Sequence, residues 1–194
     1  MKVAIVKYNA GNIGSVQTAL ARLGVESVVS DDPEILLGAE RVIFPGVGEA
    51  STAMEYLRGK RLDDVIKRLT QPVLGICLGM QLLCGHSEEN DTTCLGILPN
   101  AVRRFPDADL KVPHMGWNTL SDVSSPLLAG VAENSHVYFV HGYYVELAAG
   151  TIAECSYGVR FAAAFRHENF HAVQFHPERS GAAGTRILEN FLNL

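Results

Sequence analysis

In Val73-Leu74-Gly75-Ile76-Cys77-Leu78-Gly79-Met80-Gln81-Leu82-Leu83, a short apolar run meets a cysteine set between two glycines and continues into a helical pattern. That order suits a nucleophile elbow, in which a strand turns sharply into a helix and small neighbours allow the backbone to push one side chain outward. The exposed atom would be sulfur. A helix starting just after it would bring free backbone N–H groups and a positive dipole end to that sulfur, favouring the thiolate that attacks carbonyl carbon. The competing reading is a buried structural cysteine. Two flanking glycines are needed for the elbow and for nothing in that alternative.

Working outward, the chain before the elbow alternates β-rich runs with helical patterns, the order of strand-helix-strand units around a mostly parallel sheet. Val3 to Val6 reads as the first strand. Asn12 is placed to cap a helix with Ile13, Val16, Leu20 and Leu23 on one face, stopped by Gly24. Val28-Val29 is a second strand, Asp32-Pro33 a helix start, Arg41 to Phe44 a third strand and Glu49 to Leu57 a helix. Beyond Gly96 the pattern becomes β-rich, at Val102 to Phe105, Val137 to Val140, Thr151 to Cys155, Phe161 to Phe165 and Ala172 to Phe175. These predict antiparallel additions to the sheet or a side ribbon. Ser121 to Pro126 reads as an exposed loop, and Ser180 as the cap of a last helix bearing Ile187, Leu188, Phe191 and Leu192. No repeat or low-complexity linker divides residues 1–194, so one domain is expected.

Its 194 residues are enough to bury a core without staples. The opening Met1-Lys2-Val3-Ala4-Ile5-Val6 is too short an apolar run for a signal segment, and no stretch is long enough to span a bilayer, so a cytoplasmic protein is expected. Cys77, Cys84, Cys94 and Cys155 show neither zinc-site spacing nor the density of a disulfide scaffold, which predicts reduced thiols. A net charge of −5 argues against nucleic acid or an anionic membrane as partner. The pair Lys60-Arg61 reads as solvated helix-end charge.

A thiol nucleophile needs a base, and the base needs a group that holds its tautomer. Val173-Gln174-Phe175-His176-Pro177-Glu178 offers both at a strand end, with Pro177 ending regular pairing so that His176 and Glu178 project toward the carboxyl edge of the sheet. A tetrahedral intermediate also needs donors for its oxyanion. Pro45-Gly46-Val47-Gly48 follows the third strand, so its backbone amides would face the elbow together with the N–H of Leu78; the same glycines would also serve a simple strand-to-helix turn or a close approach of substrate. His167-Glu168-Asn169-Phe170-His171 fits H-E-x-x-H, but its β-rich flanks make it a hairpin turn and not a metal helix, so no metal is expected. His86, His114 and His136 read as ordinary residues. His141, where a strand breaks at Gly142-Tyr143, suits a substrate-lining loop.

With Pro45-Gly46-Val47-Gly48, Gly75-Ile76-Cys77-Leu78-Gly79-Met80-Gln81 and Phe175-His176-Pro177-Glu178 in this order, the chain resembles the class I, or triad, glutamine amidotransferases over essentially its whole length. Tyr8-Asn9-Ala10-Gly11-Asn12 with Ser15-Val16, Pro113 to Asn118 and Tyr138 to His141 narrow the resemblance to the glutaminase subunits of imidazole glycerol phosphate synthase. The resemblance implies an α/β, flavodoxin-like fold with a mostly parallel sheet, and a reaction without cofactor. Cys77 would attack the side-chain amide of L-glutamine, His176 would shuttle protons and Glu178 would orient it. Val47, Gly48 and Leu78 would supply oxyanion donors, and Gly48, Gln81, Gly142 and Tyr143 the glutamine pocket. A cyclase subunit built as a (β/α)8 barrel would form the heterodimer and receive ammonia to make imidazole glycerol phosphate in histidine biosynthesis. Asn12, Trp117, Tyr138 and Arg179 match positions at or near that interface. Lys7 and Gly142 depart from the pattern, standing where relatives usually carry an acid and a serine or threonine.

Two other readings share parts of this sequence. A stand-alone cysteine hydrolase, such as a γ-glutamyl peptidase, would keep the triad but cleave longer substrates. A non-catalytic scaffold would keep the fold and lose a triad member, and Cys77, His176 and Glu178 are all present.

Overall fold

The computed structural model describes residues 1–9, 11–106 and 110–194; Ala10, within the stretch Tyr8 to Asn12, lies outside them. In chain order the elements are β1 (Val3–Val6), α1 (Ile13–Arg22), β2 (Ser27–Ser30), α2 (Pro33–Leu37), β3 (Arg41–Phe44), α3 (Ala50–Gly59), α4 (Leu62–Lys67), β4 (Val73–Ile76) and α5 (Leu78–Leu83). Short strands β5 (His86–Ser87) and β6 (Thr92–Thr93) follow, then β7 (Ala101–Arg104), β8 (His114–Thr119), β9 (His136–His141), β10 (Tyr143–Val145), β11 (Thr151–Tyr157), β12 (Val159–His167), β13 (Phe170–Val173) and α6 (Gly181–Leu192).

The main sheet runs β11-β12-β13-β4-β3-β1-β2. From β13 to β2 every pairing is parallel, while β12 and β11 add antiparallel strands at one edge. Strands of the parallel part are buried along their whole length at β1, β4 and β13, as expected where helices cover both faces. Alternation along them divides the core into two layers. Val3, Ile5, Ile43, Leu74, Ile76 and Val173 pack with Val16 and Leu20 of α1 and with Ile187, Leu188 and Phe191 of α6. Ala4, Val6, Val42, Phe44 and Val73 pack on the other side with Leu36, Met54, Leu57, Leu62 and Ile66. Each fully buried Leu, Ile, Val or Phe contributes about 1.5–3 kcal/mol, which holds the strand ends in fixed register beneath the site. A second sheet, β10-β7-β5-β6, and the ribbon β8-β9 stand beside the main one.

Several expectations need correction. Asn12 occupies the position before α1 but makes no cap bond with its side chain, and Ser180 likewise leaves α6 uncapped; both side chains are used in the site. The helix expected over Glu49 to Leu57 extends to Gly59, and α4 follows it after Arg61, whose φ of +58° makes the break between them. Lys60 and Arg61 are exposed there, with Lys60 Nζ 3.7 Å from Asp31. The last strand stops at Val173, which frees Gln174 to His176 from the ladder. Strands β5, β6, β8 and β10 were not anticipated, being two or three residues long or rich in polar residues. The segment His167 to His171 is the turn between β12 and β13, with Glu168 at φ +51°, so its two histidines belong to different strands. Among the described residues no helix is long and apolar enough to cross a membrane.

Candidate active site

The elbow backbone is formed as the sequence implies, but the sulfur expected to be exposed belongs to a buried Cys77, which still borders a cleft. Cys77 follows Ile76 at φ +52° and ψ −106°, a region costly for a residue with a side chain, at about 1–3 kcal/mol. Its neighbours hold it there: the Cys77 N–H donates to Val173 O at 2.8 Å and its carbonyl accepts from Gln81 N at 3.2 Å. The glycines act through close approach. A Cβ on Gly75 would lie 2.8 Å from Leu83 Cδ1, and one on Gly79 would collide with the Phe44 carbonyl oxygen, so both let α5 settle against β3 and β4.

Because β13 and β4 are parallel neighbours, with Val173 opposite Ile76, the residues after each strand emerge side by side. His176 is fixed by its backbone, whose N–H donates to Tyr138 O at 2.9 Å while its carbonyl accepts from Arg179 N at 3.0 Å and from Ser180 Oγ at 2.6 Å. Nδ1 lies 2.8 Å from Glu178 Oε1. A carboxylate only accepts, so Nδ1 carries hydrogen and Nε2 is left for the sulfur. Nε2 is buried and has no hydrogen-bond partner among the described residues. Burial lowers the affinity of His176 for a proton, but the Cys77 sulfur and the Glu178 carboxylate outweigh it and push the imidazole up to about 10. The Glu178 side chain is fully buried and accepts a second bond from Asn12 Nδ2 at 2.9 Å.

Beside the elbow lies a cleft of about 220 Å³, lined by Val47, Gly48, Cys77, Leu78, Gln81, Glu89, Pro113, Val140 and the run His141 to Tyr143. A larger groove of about 460 Å³ beside β2 contains neither cysteine nor histidine. Of the expected pocket residues, Gly48, Gln81, His141, Gly142 and Tyr143 therefore meet at Cys77. Gly46 does not line the cleft: a Cβ there would meet the Tyr8 hydroxyl behind the turn. Gln81 is buried, and its amide NH2 donates both to Tyr143 O at 2.9 Å and to Gln174 Oε1 at 3.1 Å. Only its oxygen remains for a ligand.

The turn from Pro45 to Gly48, expected to supply oxyanion donors, is held from behind. The Tyr8 hydroxyl donates to Pro45 O, and Gly11 N donates to Val47 O at 3.3 Å. The Leu78 N–H, expected to face the oxyanion, instead donates to Gly46 O at 3.3 Å.

Three contributors escaped the sequence reading. Gln174 is fully buried with its Nε2 3.7 Å from Cys77 Sγ; sharing strand parity with His176 was the available signal. Glu89 is the carboxylate of the cleft, accepting from Ala50 N at 2.7 Å; burial raises its affinity for a proton and the Ala50 amide opposes this. Within Ser87-Glu88-Glu89-Asn90-Asp91 it gave no signal distinct from a solvated turn. His114, read as ordinary, lies behind the cleft with Nδ1 3.0 Å from His141 Nε2. His141 Nδ1 donates to Tyr143 O at 2.7 Å, which makes Nε2 the acceptor and His114 Nδ1 the donor. Burial lowers both, His141 to about 3 and His114 to about 4, so both are neutral at pH 7.

The positions expected at a partner surface divide. Trp117 is 55 % exposed on β8 and meets Tyr138 of β9 edge to face at 5.8 Å, with Met115 also exposed nearby on β8, and Arg179 is exposed. Asn12 is buried against Glu178.

Residues 5–194 match the family model described as glutamine amidotransferase class-I. The chain is 57 % identical over 196 residues to the imidazole glycerol phosphate synthase subunit HisH of Bacteroides fragilis, covering all of both chains. It is 48 % identical to the protein of the same name from Idiomarina loihiensis, covering 100 % of this chain and 98 % of that one, and 47 % identical to that of Escherichia coli, with full coverage of both. Among solved structures, one titled glutamine amidotransferase superposes with a TM-score of 0.76 at 24 % identity, over 98 % of this chain and 97 % of the other. The structure of PurLQS from Thermotoga maritima gives 0.76 at 19 %, over 99 % and 97 %; at these identities the likeness speaks to the fold.

Proposed function

We propose, for a chain that belongs to the class-I glutamine amidotransferases, that it is the glutaminase subunit of an imidazole glycerol phosphate synthase in histidine biosynthesis, one amidotransferase domain over residues 1–194. The observation that carries the chemistry is the Cys77 elbow set beside an imidazole whose far nitrogen is tied to a buried carboxylate. In this reading the Cys77 sulfur attacks the side-chain amide carbon of glutamine after His176 takes its proton, and the resulting imidazolium returns a proton to the leaving nitrogen, releasing ammonia. Water, deprotonated by His176, then cleaves the γ-glutamyl thioester to glutamate and restores the thiol.

The cleft supports an amino-acid ligand. Glu89 is suited to the ammonium group, and Gln81, with both its N–H bonds used inward, presents an acceptor that suits another donor of the ligand. Val47, Gly48 and Leu78 are proposed as oxyanion donors, which requires the Leu78 N–H to leave Gly46 O.

For the partner, the name carried by the relatives states that they are subunits of a synthase. We place a cyclase subunit with a (β/α)8 barrel on the face of Trp117, Tyr138 and Arg179, forming a heterodimer. Exposed tryptophan and arginine are favoured anchors of such surfaces. Direct passage would keep ammonia unprotonated and nucleophilic. Tyr138 also ties this face to the base, since its carbonyl accepts from His176 N and its N–H donates to Ser180 Oγ at 2.9 Å.

The test is ammonia release from glutamine, measured with the chain alone and with the cyclase and its nucleotide ligand. Little turnover alone and strong activation by the pair are expected, because the Leu78 donor is already engaged. Full activity of the lone chain would reject the coupling, and activity persisting in Cys77→Ala would reject the nucleophile.

A further inference from the structure

We propose that Gln174 is a further catalytic residue, whose side-chain amide donates to the Cys77 sulfur and favours the anion that attacks, with Gln81 as a positioning residue that locks the amide in its donating orientation. The inference rests on the reading of Cys77 as the nucleophile.

Orientation of the two amides follows from one backbone group. The Tyr143 carbonyl can only accept, so the end of Gln81 that faces it at 2.9 Å is the NH2. The second hydrogen of that NH2 points to Gln174 at 3.1 Å, which must answer with its oxygen. The other end of Gln174, its own NH2, is then aimed at Sγ, 3.7 Å away. Turning Gln174 over would set two donors against each other; turning Gln81 as well would set its oxygen against the Tyr143 carbonyl. His141 Nδ1 also donates to that carbonyl at 2.7 Å and fixes it from a second side.

This matters because the sulfur, besides the His176 imidazole, has two hydrogen-bonding neighbours of opposite kind. Val140 O lies 3.5 Å from Sγ and suits the protonated thiol, which can donate to it. A thiolate cannot donate, and its negative charge is repelled by that oxygen. Gln174 supplies the complementary group, a donor with no exposure to water, whose bond to an anion is stronger than its bond to a neutral thiol. A buried amide held by one neighbour and aimed at the nucleophile has no packing need for its nitrogen at that place, since an apolar side chain of the same length would fill the space.

Alkylation of Cys77 in the full chain by iodoacetamide, followed by mass spectrometry from pH 5 to 10, tests the relay. In Gln174→Met the rate at pH 7 is expected to fall about tenfold and the midpoint of the pH profile to move up by about one unit, the size of effect one lost hydrogen bond to a charged group produces. Gln174→Glu keeps the shape and the bond from Gln81 but turns an acceptor toward the sulfur, so its fall should be larger. Gln81→Met leaves Gln174 in place and unlocks it, with a smaller upward shift. An unchanged profile in all three variants, or equal falls in rate with no shift of midpoint, would overturn the proposal. Should Gln174→Met fail to fold, judged by its thermal transition, the same two results in Gln174→Glu and Gln81→Met decide it. A Cys77 in the unaltered chain that does not react across the range would overturn the nucleophile reading instead.

Discussion

Two sides of Cys77, a triad wall behind the sulfur and an oxyanion wall on the cleft, are bonded in different ways. On the triad wall the contacts that orient base and sulfur are already made: Glu178 holds His176, Asn12 holds Glu178, and Gln174 reaches the sulfur, with His176 Nε2 still without a hydrogen-bond partner among the described residues. On the oxyanion wall the contacts in place compete with catalysis. Leu78 N–H is spent on Gly46 O, and the turn from Pro45 to Gly48 is tied back to Tyr8 and Gly11. In the proposed reaction, nucleophile and base are thus oriented before the substrate arrives, whereas the proposed oxyanion donors would have to exchange a few hydrogen bonds. Preorganised donors are among the largest contributions to acyl-transfer rates, so a chain with one wall complete and the other closed should be slow until something opens it.

The strongest blow to the contrast is on the complete wall. Glu178→Gln keeps the shape but offers His176 Nδ1 an amide that can donate, so the ring loses the orientation that leaves Nε2 for sulfur. Turnover in the activated complex should fall about 10³-fold with little change in KM, since a comparable amide replacement in a serine triad costs about 10⁴. A loss confined to KM would mean that Glu178 serves binding and that the triad wall is not what its geometry implies.

Next in size is a difference between the triad histidine and the two histidines of the β8-β9 ribbon. His176, at about 10 in the folded chain, lies above its unfolded value of about 6.5, so its contribution to stability is complete below pH 6.5 and is lost as pH rises toward 10. His141 and His114, held down to about 3 and about 4, have the opposite sign. Below pH 6.5 the unfolded chain takes up their protons and the folded chain does not, costing about 1.4 kcal/mol per pH unit for each, or about 4 with His171, which burial likewise holds down to about 4. Urea unfolding between pH 5 and 9 should therefore show a maximum near pH 6.5. His141→Gln should flatten the acid limb, and an unaltered acid limb in that variant would place the effect elsewhere.

A smaller change addresses the closed wall directly. Tyr8→Phe removes the donor to Pro45 O and leaves a buried carbonyl without it, at a cost of about 2 kcal/mol in urea. If the tie holds the turn in its resting place, the same variant should raise glutamine hydrolysis by the lone chain. Stability lost without that gain would show that Tyr8 braces the wall but does not keep it closed.

How much of this was legible in the sequence follows the same division. Local grammar was enough for the parallel half: the glycines about Cys77, the proline after His176 and the short apolar runs at Val3, Arg41 and Val73 each announce their element within a few residues. Residues that act over long separations gave less. Asn12 and Ser180 have the composition of helix caps, and tertiary partners 166 and 42 residues away took their side chains. Leu78 offered an N–H at the right place, and only the packing of α5 against the turn disclosed that Gly46 O takes it. His114 and Glu89 were invisible because a histidine in a polar-looking strand and an acid in an acidic turn are what ordinary surface also contains. The segment His167 to His171 was legible as a hairpin turn from its flanks, which are strands.

Gly142 gives the smallest expected effect and the finest test of the pocket wall. Its φ is not in the left-handed region, and a Cβ there would rest 3.6 Å from Val112 Cγ1, an ordinary contact. Nothing in the backbone therefore demands glycine, and Gly142→Ser should change stability by no more than about 0.5 kcal/mol. The added hydroxyl would sit on the cleft beside His141 and Tyr143, whose bonds fix the wall on which it stands. One neutral hydrogen bond to the ligand is worth about 1 kcal/mol, so the KM for glutamine should drop about fivefold while the turnover number stays. A variant that instead lowers turnover would mean that the wall must move during the reaction, and that the rearrangement assigned to the oxyanion turn extends across the cleft.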